Sequence, residues 1–402
     1  MSLTLDPARL SRIQRWADGY TQSERFAGLS VCVQQHGREV LFAQSGVRDL
    51  DRGAPFDRDT LVRIYSMTKP ITSMILMMLV EKGRLHLDAP LSRFLPAFGE
   101  VRALRSDATD ITQTEPCATP TLHQLLTHRS GFSYPFNPGI VPKAMEDLDL
   151  LFKPTAGTLA EQSDLLATLP LAFAPGARWE YSVGIDVIGR VIEVVTGETL
   201  DQVFRTRVLG PLGMVDTGFT VPDSALDRFA SLYTPLAGDA MNLNASAEGD
   251  TTLRIFDNST GSPFRRTTCF SGGGGLVGSI DDYMTFAECL RLGGQALISP
   301  STAEFMMSNH LPGDIASLGP ASFAEQPMEG MGFGIGGGVV IHPARSRVPS
   351  SVGDFSWGGM ASTFFWVDRV NDFSVVMFTQ LSPSSSYPAR AELKALVHGA
   401  LM

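Results

Sequence analysis

The sequence predicts an α/β fold with an added α-helical region: one antiparallel sheet from both chain ends, flanked by helices, with a mostly helical region inserted between its strands. Strand-like alternation of polar and apolar residues occurs near both ends, in residues 28–49 and 332–380. Residues 91–217 instead have helical and loop-like patterns broken by Pro-Gly pairs. Strands near both ends with helices between them are what this fold class requires.

The chain begins with a predicted helix whose apolar face carries Leu10, Ile13 and Trp16. Residues 28–49 alternate in hydrophobicity on both sides of His36-Gly37, which predicts an antiparallel hairpin. The same alternation returns near the C-terminus and is followed by a final amphipathic helix. Both chain ends therefore supply strands and a helix.

These patterns divide the chain. We assign residues 1–90 and 275–402 to a discontinuous α/β sandwich domain and residues 91–274 to the mostly helical region. Within the latter, residues 234–268 are rich in Asn, Ser, Thr and Gly and lack periodicity. That composition predicts an irregular surface loop.

Composition excludes several classes of protein. The chain has 402 residues, 44% of them hydrophobic and 18% charged, which is the balance of a folded globular protein. Its net charge is −10 and no Lys/Arg cluster occurs, which argues against nucleic acid and anionic membrane surfaces as partners. No feature of the sequence indicates an oligomeric state.

The sequence has neither a metal-binding pattern of cysteines nor a recognisable targeting signal. The four cysteines are scattered without metal-ligand spacing, so we expect free thiols and no metal: Cys32, Cys117, Cys269 and Cys289. The N-terminus has no apolar core of signal-peptide type, and the apolar run 74–80 is far shorter than the ~20 residues of a membrane span. We therefore expect a cytoplasmic protein without a membrane anchor.

A serine and a lysine three residues apart precede the most apolar segment. Pro70 belongs in the first turn of a helix, so the helix should begin close to Ser66. Positions i and i+3 share a helix face, which lets Lys69 reach the Ser66 hydroxyl. A desolvated lysine at this position could help to take the serine proton, and helix-start N–H groups could stabilise an oxyanion. Taken alone, the pair is a weak signal, because ordinary helices often carry a serine and a lysine at this spacing.

Two further segments carry groups suited to the same chemistry. Tyr181 lies where a loop meets a helix, and a phenol near a lysine can act as general acid or base. Its neighbour Ser182 is interpreted as the helix N-cap. Near the C-terminus, Trp357-Gly358-Gly359 leads into a strand, and the paired glycines allow a close backbone approach. The N–H of Met360 is then a candidate oxyanion donor.

Together these motifs resemble a known family. Ser66-Met67-Thr68-Lys69, Tyr181-Ser182-Val183 and Trp357-Gly358-Gly359 occur in the order of the three motifs of serine β-lactamases and penicillin-binding proteins. The resemblance extends over about residues 25–385. It implies the β-lactamase-like fold, with an active site between the α/β and helical parts.

The departures from the family pattern indicate a subgroup. Trp357 replaces the lysine of the third motif and Val183 replaces the asparagine of the second, so two groups that hold a β-lactam are absent. The sequence thereby resembles family VIII carboxylesterases. The resemblance implies a cofactor-free, metal-free enzyme that cleaves small-molecule carboxylic esters, with short acyl chains expected, through an acyl-enzyme.

The same resemblance assigns roles to individual residues. It implies Ser66 as nucleophile, Lys69 and Tyr181 as the proton-transfer pair, and the N–H groups of Ser66 and Met360 as the oxyanion hole. The substrate-binding candidates are Trp357, Gly358, Gly359, Val183, Tyr134 and Phe136.

Other functions stay open at this point. The same site could serve a β-lactamase, a D-amino-acid peptidase or amidase, or an acyltransferase. A non-catalytic binding protein is disfavoured because Ser66, Lys69 and Tyr181 are all present. No G-x-S-x-G motif occurs, which argues against an α/β-hydrolase triad. His128, at a predicted helix end, is interpreted as structural. Asp186 lies early in its helix, where it could contact the Tyr181 region or stabilise the start of the helix.

Overall fold

The computed structural model describes residues 3–238, 240–243, 245, 252–324 and 326–402. Its α-helices are α1 (Pro7–Leu10), α2 (Arg12–Gln22), α3 (Thr68–Glu81), α4 (Leu122–Leu126), α5 (Ile140–Asp147), α6 (Leu159–Leu166), α7 (Gly184–Thr196), α8 (Leu200–Phe204), α9 (Gly210–Leu212), α10 (Ile280–Arg291), α11 (Pro300–Met306), α12 (Pro343–Ser346) and α13 (Ala389–His398). No helix within the described ranges is long and apolar enough to cross a membrane.

The strands concentrate in two parts of the chain. They are β1 (Gly28–Gln35), β2 (Arg38–Asp49), β3 (Ala54–Pro55), β4 (Val62–Arg63), β5 (Arg102–Leu104), β6 (Thr114–Pro116), β7 (Leu232–Thr234), β8 (Arg254–Asp257), β9 (Val277–Gly278), β10 (Ser322–Phe323), β11 (Gln326–Pro327), β12 (Met331–Phe333), β13 (Gly338–Val340), β14 (Phe355–Gly358), β15 (Phe364–Asp368) and β16 (Phe373–Thr379).

One antiparallel sheet of eight strands organises the molecule. Its order is β12-β13-β14-β15-β16-β1-β2-β3, so the chain ends meet where β16 pairs with β1. The predicted hairpin is present, with β1 and β2 paired across His36-Gly37. The predicted fold class, a sheet from both chain ends with flanking helices, is confirmed.

Alternating side chains bury both faces of the sheet. One face packs against the terminal helices and carries Leu29, Val31, Val33, Phe364, Trp366, Val375 and Met377. The other face joins the core that contains α3 and α10, and carries Cys32, Phe365, Val367, Val376 and Phe378. Successive residues of a strand point to opposite faces, so the sheet packs against a hydrophobic core on each side.

The segment between α9 and α10 is more regular than the sequence indicates. The composition of residues 234–268 predicts an irregular surface loop, yet β8 lies within them and pairs with β7. Phe264 is also buried. Strand β8 is therefore an exception within the predicted loop, which otherwise stays a prediction; residues 239, 244 and 246–251 lie outside the described residues. The division of domains at residues 90 and 275 stays a prediction.

Two helical glycines provide a matched test of the packing. Gly19 of α2 is exposed, and an added Cβ would meet no atom within 4 Å. Gly184 of α7 packs against α4, and its Cβ would lie 2.8 Å from the Leu125 carbonyl oxygen. We expect Gly19→Ala to raise the free energy of unfolding by about 0.5–1 kcal/mol. Gly184→Ala should lower it by about 1–3 kcal/mol. Urea titrations measure both, and equal shifts would contradict the close packing of α4 and α7.

Candidate active site

Ser66 lies in a tight turn at the entrance to helix α3. Residues Tyr65–Met67 form a 3₁₀ turn that leads directly into α3, with Pro70 as the third helical residue. Tyr65 has a φ of 43°, an uncommon value for a residue with a side chain. Residues 68–79 are all buried. The predicted helix start close to Ser66 is therefore observed.

The Lys69 side chain is completely buried and makes three hydrogen bonds. Its Nζ donates to Ser66 Oγ at 3.1 Å, to the Tyr134 hydroxyl at 3.0 Å and to the Gly273 carbonyl at 2.7 Å. Three donors with three acceptors fully satisfy an ammonium group. Lys69 is therefore fixed against the Ser66 hydroxyl.

A buried carboxylate faces this ammonium. The Tyr134 hydroxyl donates to Asp186 Oδ2 at 3.4 Å, and Asp186 also accepts from Ser271 Oγ and, at 2.9 Å, from the Gly273 N–H. Burial raises the pKa of Asp186, while the Lys69 charge and these donors oppose that rise. Burial, the Asp186 charge and Tyr181 hold the pKa of Tyr134 well above its usual value. Asp186 and Lys69 form a buried charge pair bridged by Tyr134.

Tyr181 lies against the same lysine with its ring. Lys69 Nζ is 4.7 Å from the ring centroid, within the range of a cation–π contact. The phenol oxygen accepts a hydrogen bond from Trp357 Nε1 at 3.3 Å. Tyr181 therefore lies between Lys69 and Trp357.

The Trp-Gly-Gly segment meets the strand that leads to Ser66. A Cβ on Gly359 would lie 2.3 Å from the Ile64 carbonyl oxygen, and one on Gly358 would lie 2.7 Å from the Arg390 guanidinium. The paired glycines thus allow close packing within the protein as well as exposure to the cavity. Trp357 lies behind Tyr181, beside a smaller cleft that it shares with Phe323.

Ser66 opens onto a cavity of about 340 Å³. Met360, Gly358, Gly359, Tyr134 and Tyr181 also line it. The rest of its wall is largely apolar and includes Phe136, Leu151, Phe152, Met241, Leu243, Phe256, Phe264 and Phe323. A concave, mostly apolar cavity with a few convergent polar groups is the usual form of a small-molecule site.

Comparisons with known proteins agree with this geometry. The model of the family named Beta-lactamase matches residues 13–399. The chain belongs to this family. It is 33% identical over 390 residues to Esterase EstB of Burkholderia gladioli, covering 94% of this chain and 92% of that protein. It is 34% identical over 375 residues to Protein Rv1367c of Mycobacterium tuberculosis, covering 91% and 88%.

A solved structure gives the same result. The structure of "EstCE1, a hydrolase with promiscuous acyltransferase activity" superposes with a TM-score of 0.79 at 28% identity and covers 98% of each chain. The predicted superfamily, its esterase branch and the prediction of a carboxylesterase-type serine hydrolase are thereby confirmed. The roles of single residues stay predictions.

Two of the substrate-binding candidates lie away from the cavity wall. Val183, a substrate-binding candidate, is completely buried and does not line the cavity. It is also the N-cap of α7, one position after the predicted cap Ser182. Trp357 contacts Tyr181 rather than the main cavity. Both contribute to the site through packing.

Three groups have a larger part in the site than the sequence indicates. Tyr134, a substrate-binding candidate, binds Lys69 directly. Asp186 faces the lysine instead of serving only as a helix-start acid. Its position five residues after Tyr181 is the sequence feature that indicates a place near the site. The Gly273 carbonyl could not be anticipated, since a backbone acceptor leaves no side-chain pattern.

The cysteines and one cluster of acidic groups lie outside the site. All four cysteines are free, and burial raises the pKa of Cys289 to about 12. In the described part of the chain, Asp354, Asp368 and His398 bring ligand-type atoms within 4.8 Å of one another. Lys394 Nζ lies 3.2 Å and His398 Nε2 3.3 Å from Asp354 Oδ2, which links α13 to the residue just before β14.

Removing one hydroxyl tests the bridge between Lys69 and Asp186. Tyr134→Phe keeps the ring but removes the acceptor for Lys69, so we expect Ser66 to react at least about 10-fold more slowly with an organophosphonate. Mass spectrometry follows the labelling. Tyr233→Phe is the control, because the Tyr233 hydroxyl accepts from the Leu50 N–H outside the site. Equal labelling rates in Tyr134→Phe and wild type would contradict the role of Tyr134.

Proposed function

We propose that the protein hydrolyses neutral, apolar carboxylic esters through an acyl-enzyme on Ser66. The observation that carries this proposal is the 3.1 Å hydrogen bond between Lys69 Nζ and Ser66 Oγ at the wall of the apolar cavity. The esterases among the relatives support ester hydrolysis as the reaction.

In this proposal Ser66 Oγ attacks the ester carbonyl carbon and its proton passes to the Lys69 side. Lys69 can accept a proton only when it is neutral. A proton moved from Lys69 through the Tyr134 hydroxyl to Asp186 would produce that state. The raised pKa of Asp186, caused by burial, favours such a transfer. The proton then returns to the leaving alcohol, and water releases the acid in a second step of the same kind.

Tyr181 and Met360 complete the proposed machinery. The Tyr181 ring lies against Lys69, and its phenol is oriented by Trp357, which suits a group that exchanges protons near the leaving oxygen. The N–H groups of Ser66 and Met360 serve as oxyanion donors in this proposal, supported by the location of both residues at the cavity wall.

The cavity supports esters rather than β-lactams as substrates. Trp357 stands where relatives that bind penicillin have a lysine, and its indole N–H is directed to Tyr181. The apolar wall stabilises uncharged substituents by removing them from water. Its volume of about 340 Å³ also accommodates groups larger than the short acyl chains that the sequence led us to expect.

Replacing the nucleophile tests the proposed reaction. Ser66→Ala should reduce turnover of p-nitrophenyl butyrate at least about 10³-fold, because no acyl-enzyme can form. Ser73→Ala is the matched control, since Ser73 is a buried serine of α3, the helix that follows Ser66, and its Oγ has no hydrogen-bond partner in the described structure. Initial rates and the mass of the phosphonate adduct measure the outcome.

Two results would contradict the proposal. One is undiminished ester hydrolysis by Ser66→Ala. The other is a kcat/KM for nitrocefin above that for the ester, which would make the protein a β-lactamase. A protein inert towards esters and amides would instead support the binding-protein alternative.

Acyl transfer is a second candidate activity on the same site. EstCE1 is a hydrolase with promiscuous acyltransferase activity, and an apolar cavity can hold an alcohol in place of water. With vinyl butyrate and 1-butanol we expect butyl butyrate to form alongside butyric acid. Gas chromatography measures the ratio. Detection of the acid alone, at alcohol concentrations that leave the enzyme folded, would exclude acyl transfer.

A further inference from the structure

His128 is a buried residue held in an uncommon backbone conformation next to the active site. It follows α4, is completely buried and has a φ of 54°. Histidine adopts this left-handed region more readily than most residues, and such conformations persist where the surroundings hold them. His128 does not line the substrate cavity.

Backbone and side chain of His128 both bind the segment around Tyr181. The His128 carbonyl accepts from the Glu180 N–H at 3.0 Å, and Nδ1 accepts from the Ser182 N–H at 3.2 Å. The Ser182 hydroxyl also lies 3.2 Å from Nδ1. The residues on either side of Tyr181 are therefore fixed by one histidine.

These bonds determine the state of the imidazole. Because Nδ1 accepts a backbone N–H, the neutral ring carries its proton on Nε2. Burial, reinforced by the Lys69 charge, holds the pKa of His128 well below its usual value, so the ring stays neutral. Nε2 is buried without a hydrogen-bond partner in the described structure, and the imidazole ring lies among the rings of Trp179, Tyr181 and Phe333.

The ring itself contacts the phenol ring of Tyr181. Their centroids are 4.6 Å apart at an interplanar angle of 54°. Trp357 Nε1 binds the phenol oxygen, and Phe333 packs against both His128 and Trp357. Tyr181 is thus held by His128 through its two neighbours and its ring, and by Trp357 at its hydroxyl.

We propose that His128 is a positioning residue that holds Tyr181 against Lys69 through the acceptor Nδ1 and the face of its ring. This inference rests on the proposed ester hydrolysis. Because His128 is absent from the cavity wall, we expect its loss to change kcat much more than KM. A displacement of about 1 Å in a reacting group can cost about 10²-fold in rate.

Asparagine and leucine have side chains of the same branched shape, but only asparagine carries a hydrogen-bond acceptor. Substituting each for His128 therefore tests the acceptor independently of side-chain size. In His128→Asn the amide oxygen can take the place of Nδ1, and asparagine tolerates the positive φ. In His128→Leu no acceptor remains. We expect kcat for p-nitrophenyl butyrate to fall about 10²-fold in the leucine variant, with KM within about 2-fold of wild type. The asparagine variant should keep at least about one third of the activity.

One measurement and two further variants complete the design. Thermal unfolding shows whether each variant is folded at the assay temperature. If leucine prevents folding, His128→Gln replaces it, because its amide oxygen reaches the position of Nε2 instead of Nδ1. His123→Asn is the control; His123 lies in α4, and its Nε2 is 3.1 Å from Nδ1 of His310 rather than near Tyr181. This variant should retain wild-type kcat.

The outcomes distinguish the two proposals. A folded leucine or glutamine variant with kcat within about 3-fold of wild type overturns the role of His128. An equal loss in the asparagine variant overturns the role of Nδ1. Inactive wild-type protein would instead contradict the proposed ester hydrolysis.

Discussion

The burial of the Lys69 ammonium is the constraint on which the rest of the site depends. A charge without water must be matched by acceptors and by an opposite charge. Ser66, Tyr134 and the Gly273 carbonyl are the acceptors, and Asp186 supplies the charge. These groups come from four separate segments of the chain. The buried charge of Lys69 therefore binds all four segments to the start of α3.

The glycines near the site follow from the same constraint. A Cβ on Gly273 would lie 2.2 Å from Asp186 Oδ2, and one on Gly272 would lie 2.9 Å from the Ile185 carbonyl oxygen. The run of glycines therefore lets a backbone carbonyl approach Lys69 while α7 approaches from the other side. Gly359, just after β14, likewise lets two backbone segments approach closely, here at the Ile64 carbonyl. Backbone therefore packs closely on two sides of the site, at Gly272-Gly273 and at Gly359. Ser66 is accessible from the remaining side, where the cavity lies.

The sequence predicted what depends on local spacing. Ser66 and Lys69 are three residues apart in a segment whose helix start is set by Pro70, and strand alternation identified the sheet at both chain ends. The contact between Tyr134 and Asp186 joins residues 52 positions apart and has no periodic signature. Strand β8 was missed because its polar surroundings have the composition of a loop, while pairing with β7 stabilises it. Side-chain direction, as for Val183 and Trp357, depends on packing that composition does not encode.

The position of β16 beside β1 has a consequence for how the molecule is made. The Thr379 hydroxyl donates to the Gly28 carbonyl, which lies 351 residues earlier. The local hairpin with β2 can form early during synthesis, but the opposite edge of β1 has no partner until β16 leaves the ribosome. An apolar strand edge exposed for so long is prone to pair with another chain. One edge of β1 therefore stays unpaired until almost the whole described chain has been synthesised.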